Sequence, residues 1–105
     1  MIHHVVYLQL NPEVNHADLE NLVRSTRSLL LRIPEVLTVR SGRNLDSLSQ
    51  WQFYYSFEVD SLEKLTATQA NPFYLKMVET VIKPSVSDQT QITFELDPSK
   101  DLKYS

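Results

Sequence analysis

Few residues of this sequence could do acid–base or metal chemistry: it has three histidines and no cysteine. His3 and His4 are adjacent in an alternating segment, so their side chains point to opposite faces of a strand and cannot normally bind one metal ion. His16 is expected to be exposed near the start of a helix, and no carboxylate lies at a diagnostic spacing from any histidine. The sequence therefore predicts no metal and no cofactor, unless a dimer axis assembles ligands from two chains.

The absence of cysteine and the charge balance exclude further classes of chemistry. Without cysteine there is no thiolate nucleophile, no thiolate metal site and no disulfide framework. Ten basic residues against 13 acidic ones give a net charge of -3, so nothing attracts the chain to phosphate backbones and we expect no nucleic-acid partner. The sequence begins directly with an alternating pattern, which predicts neither a signal peptide nor a membrane-spanning helix. A cytoplasmic location without a membrane partner is therefore expected.

Six elements of secondary structure must position these residues. Apolar residues at every second position predict strands, and a spacing of three to four predicts helices. Asn15 and Ser61 can cap the two helical regions, Pro34 and Pro84 end them, and a break at 71–72 interrupts the second. The predicted elements are a strand over 2–10, a helix over 15–33, strands over 36–43 and 51–58, a helical region over 61–83 and a strand around 92–96.

This strand, helix, strand, strand, helix, strand order predicts a ferredoxin-like α+β fold, with one four-stranded antiparallel sheet and both helices on the same face. One domain over residues 1–97 and a polar tail over 98–105 account for the 105 residues. The apolar strand faces are expected beneath the helices: Val6, Leu8, Leu10, Phe53, Tyr55, Phe57, Ile92, Phe94 and Leu96. Gly42, the only glycine, is expected to end the second strand, where a positive φ angle would favour it.

The other face of the predicted sheet has no cover within one chain. It would carry a mixed set of residues: His3, Val5, Tyr7, Gln9, Thr38, Arg40, Gln52, Tyr54, Ser56, Gln91, Thr93 and Glu95. A second copy could cover this face, so the sequence predicts a homodimer in which two sheets form a closed or nearly closed barrel.

A ligand site inside such a barrel is an alternative use of the same face. Its lining would be His3, Tyr7, Arg40, Tyr54 and Glu95. Interface packing explains these side chains without any ligand, because the tyrosines supply area and Arg40 can pair with Glu95. Interface packing is therefore the preferred interpretation.

Several segments resemble the stress-responsive α/β-barrel family, also called the Dabb domain. They are the opening MIHHVVYLQLNPEV, the central PEVLTVRSGRN, the aromatic strand before FEVDSLEKL, and the closing IKPSVSDQTQITFEL. The resemblance covers nearly the whole chain, and its order agrees with the predicted elements. It implies a ferredoxin-like protomer that dimerises into an α/β barrel. The family includes proteins without assigned activity and plant polyketide cyclases, so the resemblance alone does not define the chemistry.

The cyclase branch has a histidine near the start of the first strand and a His-Pro-x-His segment in the second helical region. His4 matches the first position, but Asn71 and Tyr74 replace both histidines of the segment. A tyrosine with a pKa near 10 is a poor base at neutral pH, although it can donate a hydrogen bond. The resemblance leaves His4 and Tyr74 as candidates for catalysis, with a satisfied polar pair in the core as the preferred alternative.

The family resemblance and the two replaced histidines leave two candidate functions. The first is a homodimeric small-ligand-binding or structural protein, whose ligand would be a small hydrophobic molecule. The second is a cofactor-independent enzyme, cyclase-like or monooxygenase-like, acting on a small hydrophobic substrate; no helical histidine stands out as a haem ligand. The missing histidines favour the first. The resemblance implies a ligand pocket between sheet and helices, lined besides His4 and Tyr74 by Val6, Leu8, Val23, Thr26, Phe53 and Thr68.

Overall fold

A computed structural model describes residues 1–97, and the predicted tail over 98–105 lies outside the described residues. Strands and helices follow one another in the predicted order. Their bounds are β1 Ile2–Leu10, α1 His16–Leu31, β2 Thr38–Arg43, β3 Phe53–Val59, α2 Leu62–Ala70, α3 Pro72–Met77, a π-helical segment Val78–Ile82 and β4 Val86–Glu95. The second helical region is thus divided into three pieces, and β4 is longer than the predicted strand.

The helices begin where the sequence provides side-chain caps. The Asn15 side chain accepts a hydrogen bond from the Asp18 amide at 2.8 Å, and the Asp18 carboxylate accepts one from the Asn15 amide at 3.2 Å. This reciprocal capping box satisfies amides that the first turn of α1 leaves unpaired. At α2 the Ser61 hydroxyl accepts a hydrogen bond from the Lys64 amide at 3.2 Å, without the reciprocal bond. Both predicted caps are confirmed.

The break between α2 and α3 also has a local cause. Pro72 lacks an amide proton and fits only the first turn of a helix, so α2 ends before it. Asn71 then caps α3, because its side-chain oxygen accepts a hydrogen bond from the Phe73 amide at 2.8 Å. In this chain Asn71 therefore starts a helix at the position where the cyclases have the first histidine of their motif.

The four strands form one antiparallel sheet in the order β2-β3-β1-β4. In β1 and β3, Val6 lies opposite Tyr55 and Leu8 opposite Phe53. These side chains are buried with residues of the helices in one hydrophobic core, which confirms the predicted apolar faces of β1 and β3. We call the opposite side of the sheet the open face; it carries His3, Val5, Tyr7, Gln9, Thr38, Arg40, Gly42, Tyr54, Ser56, Glu58, Asp88, Thr90, Ile92 and Phe94.

The two faces of β4 are the reverse of the prediction. His4 lies opposite Thr93, so the polar set Gln89, Gln91, Thr93 and Glu95 is on the helix side. Ile92 lies opposite Val5 and Phe94 opposite His3, which places both apolar side chains on the open face, and Leu96 follows the last residue of the strand. Alternation distinguishes two faces but does not say which is buried, and a shift of one residue exchanges them.

Gly42 has a different role from the predicted one. Its φ angle is not positive, and it is an internal residue of β2. A Cβ atom at this position would lie 2.7 Å from Cε1 of Tyr54, which is closer than carbon atoms approach without a shift of the ring. The glycine therefore leaves room for the Tyr54 ring against the open face of β2.

Candidate functional site

The residues expected to form a pocket lie between the sheet and the helices, and almost all are buried. The exposed fraction is 3% for His4 and 6% for Tyr74. Val6, Leu8, Thr26, Phe53 and Thr68 are also buried, whereas Val23 is half-buried. One polar atom of this group, the hydroxyl oxygen of Thr26, is buried without a hydrogen-bond partner among residues 1–97. The structure brings most of these residues together in the core.

His4 is held on both ring nitrogens by side chains of β4. Its Nδ1 lies 2.9 Å from the Thr93 hydroxyl, and its Nε2 lies 3.1 Å from the Gln91 side-chain oxygen. Since that oxygen can only accept, Nε2 carries the proton, and Nδ1 of the neutral ring accepts from Thr93. Burial lowers the pKa of His4 below its usual 6.5. The hydrogen bond to Gln91 opposes this shift, and the nearby His3 lowers the pKa further. The imidazole is therefore neutral at pH 7.

Tyr74 is paired with Tyr55 rather than with His4. The two phenol oxygens lie 3.2 Å apart, and this contact joins α3 to β3 inside the core. Burial raises the pKa of both phenols; the contact with Tyr74 raises the pKa of Tyr55 further, whereas the hydrogen bond to Tyr55 opposes the rise at Tyr74. Both hydroxyls stay protonated at neutral pH, so Tyr74 is a hydrogen-bond donor or acceptor and not a base.

A phenylalanine separates the two candidate catalytic residues. The His4 and Phe57 rings are 5.3 Å apart between centroids, and the Phe57 and Tyr74 rings meet edge to face at 6.0 Å. The prediction that His4 and Tyr74 form a polar pair is therefore wrong. His4 is hydrogen-bonded to side chains of β4, and Tyr74 is hydrogen-bonded to Tyr55. Tyr55, Gln91 and Thr93 were missed, because Tyr55 fitted the apolar pattern and the faces of β4 were exchanged.

A solvent-accessible cavity lies beside this core, between the first half of α1 and the end of β2. Its volume is about 540 Å³, within the range of small-ligand sites. We call it the α1 groove; it is lined by His16, Leu19, Glu20, Val23, Arg24 and Arg43. Val23 is the residue shared with the pocket implied by the family resemblance. A second cavity of about 380 Å³ continues it past His16, Leu19 and Arg43 towards the β2–β3 loop.

The rim of the α1 groove carries two arginines, one histidine and one glutamate, and its floor is apolar. Leu19 and Val23 are partly buried against the core. His16 Nε2 lies 3.1 Å from a carboxylate oxygen of Glu20, and Arg24 donates to the side-chain oxygen of Asn21 at 3.0 Å. Within residues 1–97, the Arg43 side chain makes no hydrogen bond or ion pair. Its guanidinium is therefore available to an acidic ligand group, while the floor offers apolar contact.

The predicted ion pair between Arg40 and Glu95 does not form within one chain. Arg40 is on β2 and Glu95 on β4, which are the two edge strands of the sheet. Three strand spacings separate them, which is roughly 14 Å, and Glu95 lies opposite Ile2 on the helix side. Tyr7 and Tyr54 do lie side by side on the open face, with ring centroids 6.4 Å apart.

No helix in residues 1–97 is long and apolar enough to cross a membrane. No group of three or more histidine, aspartate or glutamate residues in this part of the chain could hold a metal ion.

A four-stranded antiparallel sheet with helices on one face defines a ferredoxin-like α+β protein. In this chain a ligand-sized groove lies beside the core. The sequence matches the family described as Stress responsive A/B Barrel Domain over residues 2–96. The chain belongs to this family, as its motifs indicated.

Solved structures agree with this fold. A dimeric ferredoxin-like protein of unknown function from Thermobifida fusca is similar at 22% identity, with a TM-score of 0.80 over 90% of each chain. A Dabb family protein from Mesorhizobium loti has 18% identity and a TM-score of 0.81, over 90% of this chain and 95% of that chain. The hydroxynitrile lyase of Passiflora edulis has 13% identity and a TM-score of 0.80, over 91% and 93%. A comparison with curated proteins found no match.

Proposed function

We propose that the protein is a homodimer that binds a small, mainly hydrophobic molecule with an acidic group in the α1 groove. The observation that carries the proposal is the combination of an apolar floor, Leu19 and Val23, with the unpaired guanidinium of Arg43 in one cavity of about 540 Å³. An amphipathic acid would bury its apolar part against this floor and place its carboxylate at Arg43. The buried residues implied by the family resemblance would then support the floor of the groove from the core.

The binding proposal is tested with octanoate, and with octan-1-ol as the uncharged control. Saturable shifts of the Leu19 and Val23 amide signals in ¹H–¹⁵N NMR spectra are expected for octanoate. Replacing Arg43→Gln removes a charge-assisted hydrogen bond and weakens octanoate binding about tenfold. Lys64→Gln is the charge-matched control, because its side chain is exposed on α2 and does not line the groove. Equal affinity for the acid and the alcohol, or no saturable shift, would overturn the proposal.

The dimer is supported by the open face. Ile92 and Phe94 are 42% and 45% exposed there, next to the half-buried rings of Tyr7 and Tyr54. A second copy of the chain would cover this apolar area through a two-fold interface, and the similar protein from Thermobifida fusca is described as dimeric. Light scattering at micromolar concentration is expected to give the mass of two chains. The mass of one chain would contradict the dimer without bearing on the groove.

Cofactor-independent catalysis on a small hydrophobic substrate is a second candidate. One feature favours it: burial lowers the pKa of His4, so the imidazole is neutral, and its Nδ1, which accepts from the Thr93 hydroxyl, could take up a proton once that hydrogen bond is released. A protein with this fold is named a hydroxynitrile lyase, so the scaffold is compatible with catalysis. Turnover of small aromatic or polyketide-like substrates that is lost in His4→Gln, with melting temperature unchanged, would support an enzyme. Turnover that survives in His4→Gln would exclude His4 as the base.

A further inference from the structure

A third cavity, distinct from the two beside α1, opens at one end of the open face. It has a volume of about 320 Å³, and its walls include the rings of Tyr7, Trp51 and Tyr54 and the side chain of Arg43. Tyr7 and Tyr54 lie directly opposite each other on β1 and β3. Trp51 lies in the loop before β3, two residues from the start of that strand. Arg43 lines both this cavity and the α1 groove, whereas Tyr7, Trp51 and Tyr54 line only this cavity.

The aromatic walls are held in place by backbone and loop contacts. Gly42 leaves the space that the Tyr54 ring occupies, since a Cβ atom there would lie 2.7 Å from the ring. The backbone of Trp51 is fixed on both sides. Its carbonyl accepts a hydrogen bond from the Asn44 side chain at 2.7 Å, and its amide donates one to the Ser49 hydroxyl at 3.1 Å. The loop therefore sets the position of Trp51 relative to the sheet before any ligand binds.

Four polar groups of this cavity can donate a hydrogen bond and have no side-chain partner in the described part of the chain, whereas Asn44 and Ser49 are already engaged by the loop. Among residues 1–97, the hydroxyls of Tyr7 and Tyr54, the indole N–H of Trp51 and the guanidinium of Arg43 make no side-chain hydrogen bond or ion pair. The cavity lining contains no carboxylate, so Arg43 is its only charged group. Aromatic faces favour a flat apolar ligand, and a planar guanidinium favours a carboxylate that it can bind through two parallel hydrogen bonds.

We propose that this cavity binds a planar aromatic carboxylate. The aromatic body of the ligand lies among Tyr7, Trp51 and Tyr54, and its carboxylate lies at Arg43. The site shares Arg43 with the α1 groove, but its aromatic walls do not line that groove. Because Tyr7 and Tyr54 lie on the open face, the second chain of the proposed dimer would close the cavity over the bound ligand.

The protein provides a specific probe for this site, because Trp51 is its only tryptophan and gives one indole N–H signal in a ¹H–¹⁵N NMR spectrum. Titration with 2-naphthoate is expected to shift this signal saturably. The uncharged analogue 2-naphthalenemethanol is expected to bind about tenfold more weakly, since it cannot form the charge-assisted pair with Arg43. No shift of the indole signal at saturating 2-naphthoate, or equal affinity for both compounds, would overturn the proposal.

Three variants separate this site from the α1 groove. Arg43→Gln is expected to weaken 2-naphthoate binding about tenfold, and Tyr54→Phe severalfold through loss of one donor. Arg24→Gln changes only the groove side and is expected to leave 2-naphthoate binding unchanged. If Arg24→Gln weakens binding as much as Arg43→Gln, the probe binds in the groove and the proposal is wrong. Light scattering on the same samples shows whether binding occurs in a dimer, so failure of the dimer and failure of this site are distinguishable.

Discussion

Nδ1 of His4 on β1 lies 2.9 Å from the hydroxyl of Thr93 on β4. This contact fixes which side of the edge strand faces the helices, because Thr93 and Gln91 must both point to the His4 side of the sheet. The apolar residues Ile92 and Phe94, which alternate with them, then point to the open face. One register therefore satisfies a buried imidazole and leaves apolar side chains on the open face.

The lowered pKa of His4 predicts a specific loss of stability in mild acid. As the pH falls through about 6.5, the unfolded chain takes up a proton on His4 while the folded chain, with its lower pKa, does not. The free energy of unfolding therefore decreases below about pH 6.5. Above that pH His4 is neutral in both states and causes no decrease. Urea denaturation between pH 7.5 and 5 measures the decrease.

Two variants assign that pH dependence. His4→Gln removes the titrating group, so its free energy of unfolding is expected to vary less over the same interval. His16→Gln is the control for the loss of a histidine outside the core, because the His16 side chain is 72% exposed. If the wild-type protein and His4→Gln lose stability equally below pH 6.5, the buried imidazole is not the cause.

The sequence predicted the element order because local signals agreed with one another. Asn15 and Ser61 are side-chain caps, Pro72 excludes a helix interior, and β1 and β3 alternate clearly. None of these signals requires knowledge of distant contacts. The faces of β4 could not be predicted in this way. Both sides of the sheet carry apolar residues, so alternation alone could not decide whether Phe94 lies on the helix side or on the open face.

The candidate site was predictable only in part, for a similar reason. The family resemblance indicated His4 and Tyr74, and both are in the core, but they do not form the expected pair. Their partners depend on the pairing of β1 with β4 and on the position of α3 over β3, which spacing along the chain does not specify. The groove around Arg43 combines α1 with the end of β2, and no local pattern marks it. Such a site follows from packing rather than from a motif.

The Tyr55–Tyr74 contact predicts strong coupling between two substitutions. Tyr55→Phe or Tyr74→Phe alone leaves one buried hydroxyl without its partner, at a cost of about 1–3 kcal/mol in the free energy of unfolding. The double variant removes both hydroxyls and is expected to recover part of that cost. Urea denaturation of the four proteins gives the coupling energy. Additive effects within about 0.5 kcal/mol would show that the hydroxyls do not interact.

Gly42→Ala is expected to destabilise the protein through the ring of Tyr54. A Cβ atom 2.7 Å from Cε1 forces the ring or the strand to move, which typically costs about 1–3 kcal/mol. In a Tyr54→Ala background the clash is absent, and the same substitution is expected to be neutral or to stabilise by about 0.4–1 kcal/mol. Thermal and urea denaturation of both pairs test this. Stabilisation by Gly42→Ala in the wild-type background would exclude the close approach.

The proposed dimer interface on the open face predicts opposite results for two acidic substitutions on β4. Phe94→Asp places a carboxylate on the open face, where Phe94 is 45% exposed in one chain. Gln89→Asp places the same charge on the helix side of the same strand, because Gln89 lies opposite Leu8. The first is expected to dissociate the dimer and the second is not.

The size of the effect follows from symmetry. In a two-fold interface each substitution occurs twice, so the lost apolar burial and the cost of desolvating the carboxylate both count double. A loss of about 1 kcal/mol per chain then raises the dimer dissociation constant by more than tenfold. Analytical ultracentrifugation over a concentration series measures it, with circular dichroism to verify that each variant is folded. Dissociation by Gln89→Asp but not by Phe94→Asp would place the interface on the helix side of β4 instead.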